Sequence, residues 1–210
     1  MAITDNISAF ILLMLFYIGW IKFPITGDAI YLADYLIRIV MLIFIWRERS
    51  VLLSKPNWPL FHMWLAFPVA LIAFIFLHQM LISFEFIHDV NDYFPEPKTY
   101  PPIKNVYLLV FDMTIGLLLV AITEEFLFRY KLNEVLKGKS FNLPSRYLIT
   151  SILFALIHAP QGITALIETF LWGLLFFFLY QKSKSLHFVI VIHFLTNFII
   201  FGLMALERFL

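Results

Sequence analysis

Three short runs of polar residues stand out because each is set in apolar surroundings. The first is Thr123-Glu124-Glu125, followed by Arg129. The second is His158, four residues after Phe154 and two before Pro160. The third is His193 with Asn197. A carboxylate can take a proton from water, an imidazole can hold and pass it, and imidazole and amide donors can bind a developing oxyanion. Together these are the parts of a hydrolase. Helical spacing sharpens the reading. Glu125 and Arg129 are four apart and share a face, in salt-bridge reach. Glu124 lies about 100° round the helix from Glu125. On that geometry the arginine neutralises Glu125 and leaves Glu124 free. His193 and Asn197 are also four apart, on one face of an otherwise apolar segment.

Each run has a quieter reading. Glu124 to Arg129 fits a solvated helix end, His158 a packed histidine, and His193 with Asn197 a polar contact between helices. Ionisable groups inside membrane spans cost roughly 2.5 to 3.5 kcal/mol each on insertion scales. Polar groups drawn from three separate apolar segments therefore favour a shared site over three coincidences.

The elements that carry these residues follow from composition. The chain has 210 residues, 62% of them hydrophobic and 14% charged, with a mean hydropathy of +0.89. An average soluble domain is about half apolar and about a quarter charged. The expected fold class is therefore all-α, a polytopic integral membrane helix bundle of about seven spans in a lipid bilayer. The spans are read at 7–21, 29–46, 59–80, 106–123 with continuation through Phe128, 147–159, 162–180 and 186–206. A net charge of +1 excludes a nucleic-acid partner. The absence of cysteine excludes disulfides, thiolate zinc sites and cysteine nucleophiles.

Arg47, Arg49 and Lys55, the cations from Arg129 to Arg146, and Lys182 and Lys184 all fall on one side of this arrangement. Lys22, Lys98, Lys104 and Arg208 fall on the other. The basic side is read as cytoplasmic, with the N-terminus there and the C-terminus outside. Residues 1–105 then form N-terminal helices and an external loop, and 106–210 form the motif-bearing helices of one integral membrane domain. The loop at 81–105 has a second reading, as a lid over a substrate entrance. Asp34 and Arg38 are spaced to neutralise each other within a span, and Asp112 and Glu168 to bond neighbouring helices or line a cavity. For Glu124 and His158 to meet, the helix carrying Glu124 must continue to about Leu136.

The motifs Glu124-Glu125-x-x-x-Arg129, Phe154-x-x-x-His158 and His193-x-x-x-Asn197 resemble those of the CAAX protease and bacteriocin-processing family. This is also called the Abi or type II CAAX prenyl endopeptidase family. Order and approximate separation agree over roughly 106–202. Gly173 and Lys184-Ser185-Leu186 also look like family features. Tyr130 departs from the glycine that members often have after the arginine, and many members have an eighth span.

The resemblance implies an intramembrane endopeptidase of glutamate type, acting on a peptide or lipidated protein tail. Glu124 would be the base that activates water, and His158 would hold that water and shuttle its proton. His193 and Asn197 would donate to the tetrahedral oxyanion. Glu125, Arg129 and Phe154 would brace the helices or bind the substrate. No cofactor is expected, with zinc held by Glu124, His158 and His193 as the alternative. The chain has no His-Glu-x-x-His metalloprotease motif and no Gly-x-Ser-x-Gly. The competing class is a non-catalytic membrane protein, a transporter subunit, immunity protein or scaffold, that uses the same residues to join helices.

Overall fold

The structure is a computed structural model that describes residues 27–57, 59–83 and 100–206. The expected first span at 7–21 and most of the 81–105 loop lie outside the described residues. Among those described, the elements are helical and none is a strand. Helix α1 covers Ala29–Ile45 and leads through a 3-10 turn into the short α2, Arg49–Leu52. Helix α3 is Leu60–Ser83, and α4 runs over Val106–Gly138. Then come α5, Leu143–Leu156, α6, Ile163–Ser183, and α7, Leu186–Leu206.

Six of the expected spans are thus helices at the expected places. The chain is a multi-pass integral membrane helix bundle. Three described helices, within α4, α6 and α7, are long and apolar enough to cross a membrane. A fourth span results if α1 and the bent segment after it, at 45°, count as one.

The chain divides into two compact units. The first comprises Met1–Lys55, Tyr100–Leu127 and Ser185–Leu210, and so holds α1, the N-terminal part of α4, and α7. Its α1 shows how a membrane helix is patterned. Ile30, Asp34, Arg38, Met41 and Ile45 are buried, while Leu32, Leu36, Ile39 and Ile43 are exposed. Both stripes repeat at three and four residues, the helical period. The charged residues lie on the enclosed side with Ile30, Met41 and Ile45, and the open side is aliphatic, as a lipid surround demands. On the enclosed side, Tyr35 donates its hydroxyl to Asp112 on α4. Gly116 makes room for that contact, since a Cβ there would sit 2.9 Å from the Tyr35 ring and 2.8 Å from Asp112. Asp112 therefore bonds a neighbouring helix, one of its two expected roles.

The second unit comprises Pro56–Thr99 and Phe128–Lys184, and holds α3, the C-terminal part of α4, α5 and α6. Helices α5 and α6 pack closely where Gly173 faces Ser151. A Cβ at 173 would lie 3.0 Å from the Ser151 backbone, tight enough that the backbone would have to give way, so a small residue suits that crossing. Glu168 on α6 meets His78 on α3 at 2.7 Å. Helix α5 begins at an Asn142 cap, whose side chain accepts from the Ser145 N–H, with Pro144 in the first turn where a missing N–H costs nothing. It ends at Leu156, and the chain turns through Ala159–Gln161 to Gly162, whose φ of +98° suits glycine.

Candidate active site

Helix α4 carries the two glutamates. It continues to Gly138, past the Leu136 that a meeting of Glu124 and His158 demands. It is not uniformly α-helical, because π-helical turns occupy Asp112–Gly116 and Phe126–Lys131. The second begins directly after Glu125. Such turns concentrate at functional sites because they re-aim the side chains around them. A helical wheel of 3.6 residues per turn therefore stops being a guide at Glu125. From Thr123 to Arg129 every residue is buried. This stretch is enclosed on all sides, which removes the reading of a solvated helix end.

Each glutamate meets a side chain from another helix, and for Glu124 this differs from the expectation. Glu124, only 2% exposed, is not left free: Arg38 Nη2 on α1 lies 3.1 Å from its Oε1. Glu125, wholly enclosed, meets His193 on α7, with Nδ1 and Oε1 at 2.8 Å. Spacing assigns Arg38 to Asp34 alone. It does bind Asp34, Nε to Oδ2 at 2.8 Å, and reaches Thr123 and Glu124 as well. Its one signal in the sequence is an arginine inside an apolar span. Its partner is 86 positions away, beyond any local spacing rule.

The Glu125–His193 contact decides the chemistry of that imidazole. With Glu125 ionised, Nδ1–H is the donor and Nε2 is the atom that faces other partners. In the neutral ring Nε2 is then a lone-pair acceptor, and one more proton on the pair makes it an N–H donor. Asn197 lies one turn further along α7 and is half-buried. Between them the next turn is held by Thr196, which donates to the Ile192 carbonyl.

In the second unit, His158 sits two residues past the end of α5, in the turn, and not within the span as its position in 147–159 implied. Pro160 and Gly162 bring the helix to a stop before it. Its Nδ1 is 2.9 Å from the Phe154 carbonyl. A carbonyl only accepts, so Nδ1 carries the proton and Nε2 holds the lone pair of the neutral ring. That is the tautomer a proton shuttle needs. Phe154 also stacks edge-on against the ring, with centroids 5.0 Å apart. The same phenylalanine carries the guanidinium of Arg129 over its face at 4.5 Å, and Phe176 lies 5.8 Å from it. Phe154 thus orients two of the motif's polar side chains at once. Among the described residues, no group of three or more histidine, aspartate or glutamate side chains is placed to hold one metal ion.

These observations define a class: a multi-pass membrane helix protein with buried, mutually oriented glutamate and histidine side chains. Residues 106–199 match the family described as type II CAAX prenyl endopeptidase Rce1-like. The match covers all three motifs and begins at the first residue of α4. No curated protein and no solved structure matches the chain.

Proposed function

We propose that the protein is an intramembrane endopeptidase that hydrolyses a peptide bond in a membrane-associated substrate, with Glu124 as the base. The observation that carries this reading is the prenyl endopeptidase family match over the segment that bears Glu124, His158, His193 and Asn197. The enclosure of Glu124 and the tautomer of His158 support it.

In the proposed reaction Glu124 takes a proton from water and the hydroxide adds to the scissile carbonyl carbon. The carbonyl oxygen becomes an oxyanion that accepts from His193 Nε2–H and the Asn197 amide. For His193 to donate there while its Nδ1 pairs with Glu125, the pair must hold one proton beyond the neutral imidazole and the carboxylate. Collapse of the tetrahedral intermediate breaks the C–N bond, and the proton taken from water, relayed by His158, leaves with the amine. Glu125 positions His193, and Phe154 positions His158 and Arg129. The basic segments from Arg47 to Lys55 and from Arg129 to Arg146 support a cytoplasmic placement for that side. The substrate class proposed is a lipidated tail, a reading supported by the description of the matched family as a prenyl endopeptidase.

The test is cleavage of a farnesylated CAAX peptide and of its unlipidated counterpart, in proteoliposomes, by the unaltered protein and by Glu124→Gln, with and without chelator. Cleavage that is lost in Glu124→Gln and indifferent to chelator is expected. Loss with chelator and recovery with Zn²⁺ overturns the metal-free mechanism. Full activity of Glu124→Gln overturns the assignment of the base, and no cleavage of either peptide overturns the function.

A further inference from the structure

The family match begins at residue 106, yet the side chain that grips Glu124 comes from residue 38. Arg38 is 2% exposed and its guanidinium is held on three sides. Nε donates to Asp34 at 2.8 Å, Nη1 to the Thr123 hydroxyl at 2.7 Å, and Nη2 to Glu124 at 3.1 Å. The Thr123 hydroxyl donates in turn to the Leu119 carbonyl at 2.7 Å, so it presents a lone pair, not a proton, to Arg38. Every link in this series has its direction set: Leu119 fixes Thr123, Thr123 and Asp34 fix Arg38, and Arg38 fixes Oε1 of Glu124.

We propose that Arg38, outside the matched segment, is the positioning residue of Glu124. It holds the carboxylate ionised and in one orientation, so that the first helix of the described chain is part of the catalytic machinery. The proposal rests on the reading of Glu124 as the base. The planar fork explains why arginine stands here. Lysine's three donors radiate from a single nitrogen and cannot reproduce the planar, spread fork of a guanidinium. A quiet structural alternative exists, since a buried cation between two acids also joins α1 to α4. Removing the cation distinguishes the two. A helix tie costs stability, whereas a positioning residue costs turnover in protein that is still folded.

The experiment compares Arg38→Gln, Arg38→Lys, Glu124→Gln and the double variant Arg38→Gln/Glu124→Gln, purified in detergent and checked for a cooperative melt. Steady-state cleavage of the farnesylated peptide is measured in proteoliposomes. Misplacing a reacting group by about 1 Å costs roughly 100-fold, so kcat of Arg38→Gln is expected to fall by about that factor with KM little changed. Arg38→Lys should lie between, and the double variant should be no slower than Glu124→Gln. Unchanged kcat in Arg38→Gln, or additive losses in the double variant, overturns the proposal. Glu124→Gln that cleaves normally overturns instead the reading beneath it, so the two failures are distinct. If Arg38→Gln does not fold, Arg38→Lys decides, and a kcat equal to the unaltered protein's overturns the proposal. A second readout needs no turnover. Dicyclohexylcarbodiimide adds to protonated carboxyls in apolar surroundings. Mass spectrometry should find Glu124 unlabelled in the unaltered protein and labelled in Arg38→Gln, and equal labelling in both overturns the proposal.

Discussion

His193 Nδ1 lies 2.8 Å from Glu125 Oε1, and both side chains are buried. The two residues are 68 positions apart and come from α7 and α4. Removing one partner of a buried pair leaves the other without compensation, at a cost of about 3 to 5 kcal/mol. Glu125→Ala should therefore destabilise the protein by an amount in that range. Glu125→Gln keeps an acceptor for the Nδ1–H and should cost distinctly less. Thermal unfolding in detergent separates the two, and equal losses would mean that the contact does not contribute through its hydrogen bond.

Asn197 follows His193 by one helical turn, and in the proposed reaction both donate to the same oxyanion. Loss of one such donor typically costs about 100- to 1000-fold in kcat. Asn197→Ala should show a loss of that size with KM nearly unchanged, because the interaction strengthens only as the oxyanion forms. A fall confined to KM would place Asn197 in substrate binding.

Gly173 faces the Ser151 backbone at close range. Gly173→Ala puts a methyl 3.0 Å from the Ser151 Cα, and backbone yields less readily than a side-chain tip. Overpacking of this kind costs about 1 to 3 kcal/mol. The melting temperature should drop, and Ser151→Gly should not restore it, because the opposing Cα remains. A neutral Gly173→Ala would show that α5 and α6 separate without penalty.

His78 and Glu168 meet at 2.7 Å between α3 and α6, with the histidine side chain 45% exposed. Contacts of this type between membrane helices couple by about 0.6 kcal/mol on average. A cycle of His78→Ala, Glu168→Ala and the double variant should give a coupling of that order in unfolding measurements. Peptide cleavage should be unaffected in His78→Ala, since this pair takes no part in the proposed chemistry. A large loss of cleavage would bring Glu168 into the site.

Much of this architecture was legible because it obeys local rules. The apolar runs are helices where expected, since a chain in lipid must satisfy its backbone hydrogen bonds within each segment. The i,i+4 pair Asp34–Arg38 forms as spacing requires. Pro160 and Gly162 mark the end of α5 in plain sight, although the helix stops at Leu156, early enough to put His158 in the turn. The chain bends by 45° between Ala29–Ile43 and Trp46–Leu52, and neither Pro nor Gly marks the place in the sequence.

The amino-acid sequence by itself determined that this is a helical membrane protein, which helices carry polar side chains, and which three motifs match a peptidase family. Those properties depend on composition and on residues within a turn or two of each other. Only the tertiary structure decided which charge meets which. Helical spacing assigned Glu125 to an arginine four residues on and left Glu124 unattended. The fold brings His193 to Glu125 and Arg38 to Glu124 from positions 68 and 86 residues away. In an enclosed, low-dielectric interior each carboxylate requires a partner, and a suitable one in space need not be near in sequence.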